Sequence, residues 1–224
     1  MAGPTEKKNG IEDRGPTPLP PAKLKLAAAM RQLLRTKDFN SITTAEISRT
    51  AGANEALIYR YFKDKRGLLH QVLYDYLLDF HIKMQEEIKA VPSALDKLRC
   101  LVEAHIRMYD SNRVFAKILI LEVRNFPGYF ESSTYRLVKN YGKVVSQVIA
   151  DGVQSGEIRD DIPVSRIRDL VLGGIEHFCM AAVIFGHELS VTNVAANLSD
   201  LLFQGFENPE HETKTSGIND MVNT

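Results

Sequence analysis

A chain of 224 residues, 44% hydrophobic and 25% charged, with 28 Lys/Arg balanced by 28 Asp/Glu, has the composition of an ordinary globular protein of one or two domains. Two cysteines without paired-Cys spacing exclude a disulfide framework and a thiolate metal centre, which fits a reducing cytoplasm. The longest unbroken apolar run, residues 178–186, falls far short of the roughly 20 residues of a membrane span, so a cytoplasmic chain without a membrane partner is expected.

The zero net charge hides an asymmetry. Residues 23–70 hold ten Lys/Arg against four acids, residues 1–22 balance, and the remainder is acidic by the same margin. A basic module followed by an acidic one is expected where only the first meets a polyanion.

In chain order, residues 1–22 hold five prolines, three glycines and few apolar side chains, and read as a disordered arm. Leu26, Met30, Leu33 and Leu34 form one face of a first helix, and Phe39 and Ile42 close beneath it. Thr43-Thr44-Ala45-Glu46 is a capping-box pattern, with the Thr43 hydroxyl accepting from the Glu46 amide and Glu46 reaching back. A second helix runs to about Thr50 and stops at Gly52; Asn54 caps a third, through about Tyr61, and Asp64 caps a fourth. The stripe Leu69, Val72, Leu73, Tyr76, Leu77, Phe80, Met84, Ile88 makes that fourth helix long and amphipathic, running from the first domain into the next. Beyond it, helices are expected over 93–110, 112–125, 129–155, 163–185 and 190–206. Pro163 suits a first turn, Gly156 a left-handed stop, and residues 208–224 read as a second disordered tail. The expected fold is all-α, about nine helices: a three-helix domain at 23–70 and a helical bundle at 71–207.

The chemistry lies in residues 39–69. Two short helices separated by Ala51-Gly52-Ala53, with Ala45, Ile47, Ala51 and Leu57 or Ile58 turned inward, form a helix-turn-helix layout. The third helix then offers Asn54, Glu55, Tyr59 and Arg60 to a major groove. Phe39, Ile42-Thr43, Ile47, Ala51-Gly52, Tyr59, Tyr61-Phe62, Lys65 and Leu68-Leu69 closely resemble, in order and spacing, the N-terminal signature of the TetR family of regulators. Leu121-Glu122-Val123-Arg124-Asn125 and residues 151–158 look like the fatty-acid-responsive, FadR-like branch. The resemblance implies a homodimer that binds a palindromic double-stranded DNA operator and releases it on binding a small effector. The chain departs from the family where a basic residue and a hydroxyl often precede the Leu-Tyr of the third helix: Glu55 and Leu57 stand there, so the operator sequence is not transferable.

Each candidate carries a plainer alternative. Thr43 and Thr44 cap a helix start and can also bind phosphate. Tyr59 and Tyr61, flanking Arg60, are either core rings or DNA contacts. Lys65 sits in a helix first turn, where a cation opposes the dipole and a phosphate would offset it; Lys23 and Lys25 are further phosphate candidates. His105 and His177 are core histidines or effector contacts, and their spacing with Glu176 makes no metal site. Arg124, beside Asn125 at the end of an apolar helix, either complements the dipole or binds an anionic head group. Leu121, Gly174 and Phe178, with Gly173-Gly174 leaving room, are the candidate walls for an acyl tail. The all-round apolar helix 163–185 and the helix 190–206 are the expected dimer interface. No nucleophile–base pattern, phosphate-cradling loop or cofactor motif supports an enzyme. The expected function is a repressor released by an apolar, anionic effector such as a long-chain acyl-CoA; the rivals are a multidrug-sensing repressor, an adaptor and a helical enzyme.

Overall fold

The computed structural model describes residues 20–206. The two expected disordered tails lie outside the described residues, except for Pro20 to Ala22, counted in the first, where Pro20 caps a helix that Pro21 and Ala22 open. Nine α-helices occur among the described residues: α1 Pro21–Leu33, α2 Thr44–Ala51, α3 Ala56–Phe62, α4 Lys65–Lys89, α5 Ala94–Ser111, α6 Arg113–Lys117, α7 Ser133–Ser155, α8 Val164–Phe185 and α9 Val191–Phe206. They fall into two compact units that divide between Leu68 and Leu69, within α4.

In the first unit, Pro21 occupies the first turn of α1, where a missing N–H costs nothing. Leu26 and Met30 of α1, Leu34 just past its end, and Phe39 and Ile42 around a short 3-10 turn pack with Ile47 and Ile58, all essentially buried. Thr43 caps α2 as expected, its Oγ1 accepting from the Glu46 amide at 3.1 Å. The reciprocal half of the capping box does not form, because Glu46 takes the Lys37 ammonium at 2.5 Å instead. Ala45, expected inward, is exposed: α2 turns Ile47 and Ser48 to the core. Gly52, at φ 58°, makes the left-handed turn that separates α2 from α3.

The turn from α3 into α4 is close-packed. Lys63 adopts φ 71° without being glycine. Asp64 then caps α4, accepting from the Gly67 amide at 2.7 Å. A β-carbon on Gly67 would overlap the Phe62 carbonyl oxygen, so only glycine fits there.

The second unit is a bundle of the rest of α4 with α5 to α9. Ser93, Asn112 and Ser132 cap α5, α6 and α7. Two expected helices are broken. The stretch expected as one helix over 112–125 is α-helical only to Lys117, then widens into a π turn over Ile118–Glu122, closed by the Val123 amide donating to the Ile118 carbonyl at 3.1 Å. Ile118, Leu119 and Ile120 are all buried, so this segment packs on more than one side. The helix expected from 129 starts at Ser133, after a 3-10 turn at Pro127–Glu131. Pro163 precedes α8 rather than opening it.

The region after α7 is pinned to the start of α5. The Glu157 carboxylate accepts from the Ser93 hydroxyl at 2.6 Å, from the Ala94 and Leu95 amides at 3.2 and 3.3 Å, and from Ser155 at 2.9 Å. These bonds hold its pKa below the usual carboxylate value against the opposing effect of burial. A β-carbon on Gly152 would press on Ile158 and Ala94, so glycine permits this close approach.

Among the described residues no helix is long and apolar enough to cross a membrane, and no cluster of His, Cys, Asp and Glu could hold a metal ion. Cys100 and Cys179 are free thiols, and burial pushes that of Cys179 up to about 11.

Candidate functional site

Each unit carries a candidate surface. In the first, α3 presents Tyr59, 54% exposed, with Arg60 and Asn54 also outward. The Arg60 guanidinium lies 5.7 Å from the Tyr61 ring centroid, and Tyr61 in turn meets the buried Phe62 edge-on, so Tyr61 backs this face more than it forms it. Asn54 starts α3 by accepting from the Ala56 amide at 2.8 Å, which leaves its amide donor outward. Glu55 is half-buried at the same turn. Thr43, exposed, keeps its hydroxyl proton free while its oxygen caps α2; Thr44 is half-buried beside it. This places Thr43, Thr44, Asn54, Tyr59 and Arg60 at the starts and outer faces of α2 and α3.

Lys65, a phosphate candidate, already has partners within the chain. Its ammonium donates to the Phe39 carbonyl at 3.0 Å and the Ile42 carbonyl at 2.6 Å, and lies 4.4 Å from the Phe39 ring centroid. Partial burial lowers its pKa. The two carbonyls set partial negative charge against the ammonium at this position. Lys65 therefore pins α4 to the 3-10 turn. Lys23 stands 5.6 Å from the Phe62 ring centroid, and Lys25 is exposed.

The second unit encloses a cavity with about 730 Å³ of free space, part of it open to solvent. Its walls come from α4, α5, α7 and α8, with the π turn after α6. Leu77, Met108, Leu119, Leu137 and Val138 make the apolar part. A cluster of rings makes the rest: the Tyr141 hydroxyl lies 3.2 Å from His105 Nδ1, Tyr109 stacks edge-on to His105 at 4.7 Å, and Phe80 meets Tyr141 at 5.5 Å. Burial lowers the His105 pKa to about 4, so its ring is neutral at pH 7, and burial raises the Tyr109 and Tyr141 hydroxyls well above the usual phenol value. The two charges in the wall neutralise each other: Arg124 Nη1 and Nη2 donate to Glu176 Oε1 and Oε2, each at 2.7 Å.

Of the effector residues expected from sequence, His105 and Arg124 line this cavity. The others are elsewhere. Leu121 and Phe178 are exposed and not in its wall. The Asn125 amide donates to the Leu121 carbonyl at 2.7 Å and closes the turn after the π segment. Gly174 faces Leu198 and Leu202 of α9, so its small size serves helix packing. His177 is exposed, on a shallow hollow with Gly173 and Met180. The helix-end role considered for Arg124 gives way to its ion pair with Glu176. Phe80, Tyr109, Tyr129, Tyr141 and Glu176 were missed. The available signal was the pair His105 and Tyr109, four residues apart on one helical face, each with a polar atom that burial obliges to find a partner.

Residues 74–205 match the family described as YsiA-like protein, C-terminal region, and residues 26–72 match that described as bacterial regulatory proteins, tetR family. The chain belongs to the TetR family. It is a DNA-binding transcriptional regulator with a FadR-like C-terminal domain, and the family is not enzymatic. The TetR-family chain is 22% identical to the fatty acid metabolism regulator protein of Bacillus subtilis over 188 residues, 84% of this chain and 97% of that one. Many solved structures share its fold. The transcriptional regulator FadR from Bacillus subtilis in complex with stearoyl-CoA aligns with a TM-score of 0.72 at 22% identity, covering 80% of this chain and 96% of that one. A transcriptional regulator from Saccharomonospora viridis in complex with choline aligns with a TM-score of 0.70 at 16% identity, covering 83% and 97%.

Proposed function

We propose that this TetR-family regulator is a cytoplasmic repressor that binds a palindromic operator as a homodimer and releases it when an apolar ligand, such as a long-chain acyl-CoA, fills the cavity of the second unit. The observation that carries the reading is the cavity itself. Its wall is mostly apolar, with a few converging polar groups, as an acyl chain ending in a polar function requires. The stearoyl-CoA complex of the distant relative supports the same chemical class.

The dimer rests on α8 and α9. One face of α8 packs inward through Ile167, Val171, Ile175 and Cys179, while Leu170 and Phe178 remain exposed, Phe185 is 73% exposed and Leu201 of α9 67%. Covering such side chains with a second copy removes apolar area from water. A two-fold dimer sets recognition helices in successive major grooves, about 34–36 Å apart. Thr43, Thr44 and Arg60 meet phosphates, and Asn54, Glu55 and Tyr59 face base edges, Glu55 accepting from a cytosine amino group. Because α4 carries residues of both units, a shift of α4 on ligand binding is the lever. A coupling of about 1–3 kcal/mol weakens the operator complex roughly 5–150-fold.

A cationic-drug sensor is the second reading. It is favoured by a specific observation: Glu176 stands among Phe80, Tyr109, Tyr129 and Tyr141, a carboxylate with aromatic faces of the kind a cation seeks. A fluorescent operator fragment titrated with hexadecanoyl-CoA and with rhodamine 6G decides between them. Hexadecanoyl-CoA releases the operator under the first reading; release by the dye alone transfers the function to the second. Operator affinity that did not change with salt would overturn the phosphate contacts.

A further inference from the structure

The cavity contains its own competitor for charged ligands. Arg124 is the cation of the wall and Glu176 the acid, and they satisfy each other through both nitrogens and both oxygens. Their side chains are 44% and 27% exposed, so the pair stands where the cavity meets solvent. A guanidinium fork accepts one carboxylate in this geometry. A free fatty acid entering head-first needs the same two N–H groups, and must leave Glu176 as a second anion alongside. Glu176 is moreover tethered, at an effective concentration of about millimolar, against a ligand supplied at far lower levels. A cationic head meets the mirror problem, since Arg124 already holds the carboxylate it would seek. An uncharged carbonyl meets neither. The remaining polar groups of the wall are His81, whose pKa burial lowers, and His105, Tyr109, Tyr129 and Tyr141, all neutral hydrogen-bonding groups suited to such an end.

We propose that Glu176 is a specificity-determining residue: by occupying Arg124 it makes the cavity electroneutral, so that the site selects chains whose enclosed end is uncharged, a thioester or ester, over free carboxylates and over cations. This rests on the reading of the cavity as the effector site. For an acyl-CoA, the charged phosphates stay in solvent beyond the pair while the chain and its thioester lie within.

The two variants that split the pair predict opposite gains. Full-length wild type, Glu176→Gln and Arg124→Gln are titrated calorimetrically with hexadecanoyl-CoA, hexadecanoate and rhodamine 6G. Glu176→Gln frees Arg124 and raises affinity for hexadecanoate about tenfold or more relative to hexadecanoyl-CoA, with no gain for the dye. Arg124→Gln frees Glu176 and raises affinity for the dye by a similar factor, with no gain for hexadecanoate. A purely structural pair would not produce this reciprocity. Because the pair is half-exposed, both variants retain the wild-type melting profile; if one does not, the other still reads the effect. An unchanged acid-to-thioester ratio in Glu176→Gln, or a wild type that takes hexadecanoate as tightly as hexadecanoyl-CoA, overturns the assignment of Glu176. A wild type that binds neither acyl ligand, with the reciprocal gains still present, overturns the acyl-CoA reading and leaves the role of Glu176 standing.

Discussion

The two units are built from opposite kinds of information. In the first, the outward side chains of α2 and α3 and the turns before them come from residues within a span of about twenty: Thr43 and Thr44 at one helix start, Asn54 to Arg60 on the next. Their positions follow from caps and a turn, each local. In the second, one cavity gathers Phe80 from α4, His105 from α5, Arg124 from beyond the π turn, Tyr141 from α7 and Glu176 from α8. Nothing local fixes those neighbours. Local placement tolerates change on its surface but not at its turns; assembled placement depends on the burial of polar groups far apart in the chain.

Three measurements press on that difference. The largest effect belongs to a turn. Gly67→Ala sets a β-carbon against the Phe62 carbonyl, and is expected to destabilise the first unit by about 3–5 kcal/mol. Hydrogen exchange should show lost protection before Leu68 with α5 to α9 unaffected; a uniform loss across both units would end the claim that the turn is a local determinant.

The second measurement addresses the assembled site. Folding depresses the His105 pKa from 6.5 to about 4. Between those values the unfolded chain binds the extra proton, so stability is full above pH 6.5 and declines as pH falls toward 4, by about 3 kcal/mol. Urea unfolding at a series of pH values reads this slope, and His105→Phe should flatten it. A slope unchanged by that substitution would assign the acid sensitivity to other groups.

The smallest effect tests Lys65. If the ammonium pins two carbonyls, Lys65→Met lowers the stability of the DNA-free protein by about 1–2 kcal/mol. If it serves phosphate, stability stays level and the salt dependence of operator binding flattens instead.

The same division explains what was legible in the sequence. The helix-turn-helix was readable because Thr43, Gly52, Asn54 and Asp64 announce its boundaries by their chemistry, and because Ile47 and Ile58 give each short helix an apolar side chain for the core. For Lys65, sequence gives the dipole that opposes it and not the carbonyls of Phe39 and Ile42 that its ammonium meets. The helix expected through Asn125 failed since the apolar run Ile118-Leu119-Ile120 fits either an α or a π pitch, and nothing local in the sequence chooses between them. In the cavity, His105 and Arg124 stood out as polar groups in apolar segments. Glu176 did not stand out as the partner of Arg124, because fifty-two residues separate it from the guanidinium it neutralises.

The carboxylate of Glu157 bears on how the bundle survives damage. It joins the end of α7 to the start of α5 across sixty-four residues of chain, and the Thr134 hydroxyl, donating to the His70 carbonyl at 3.0 Å, spans an equal distance. Between those ties lies the irregular stretch from the π turn to Glu131, where Phe126 and Phe130 are exposed to a protease. A nick there severs the backbone without releasing either half, since the two fragments remain fastened at both ends. The nicked protein should migrate as one particle in native separation and as two only when denatured.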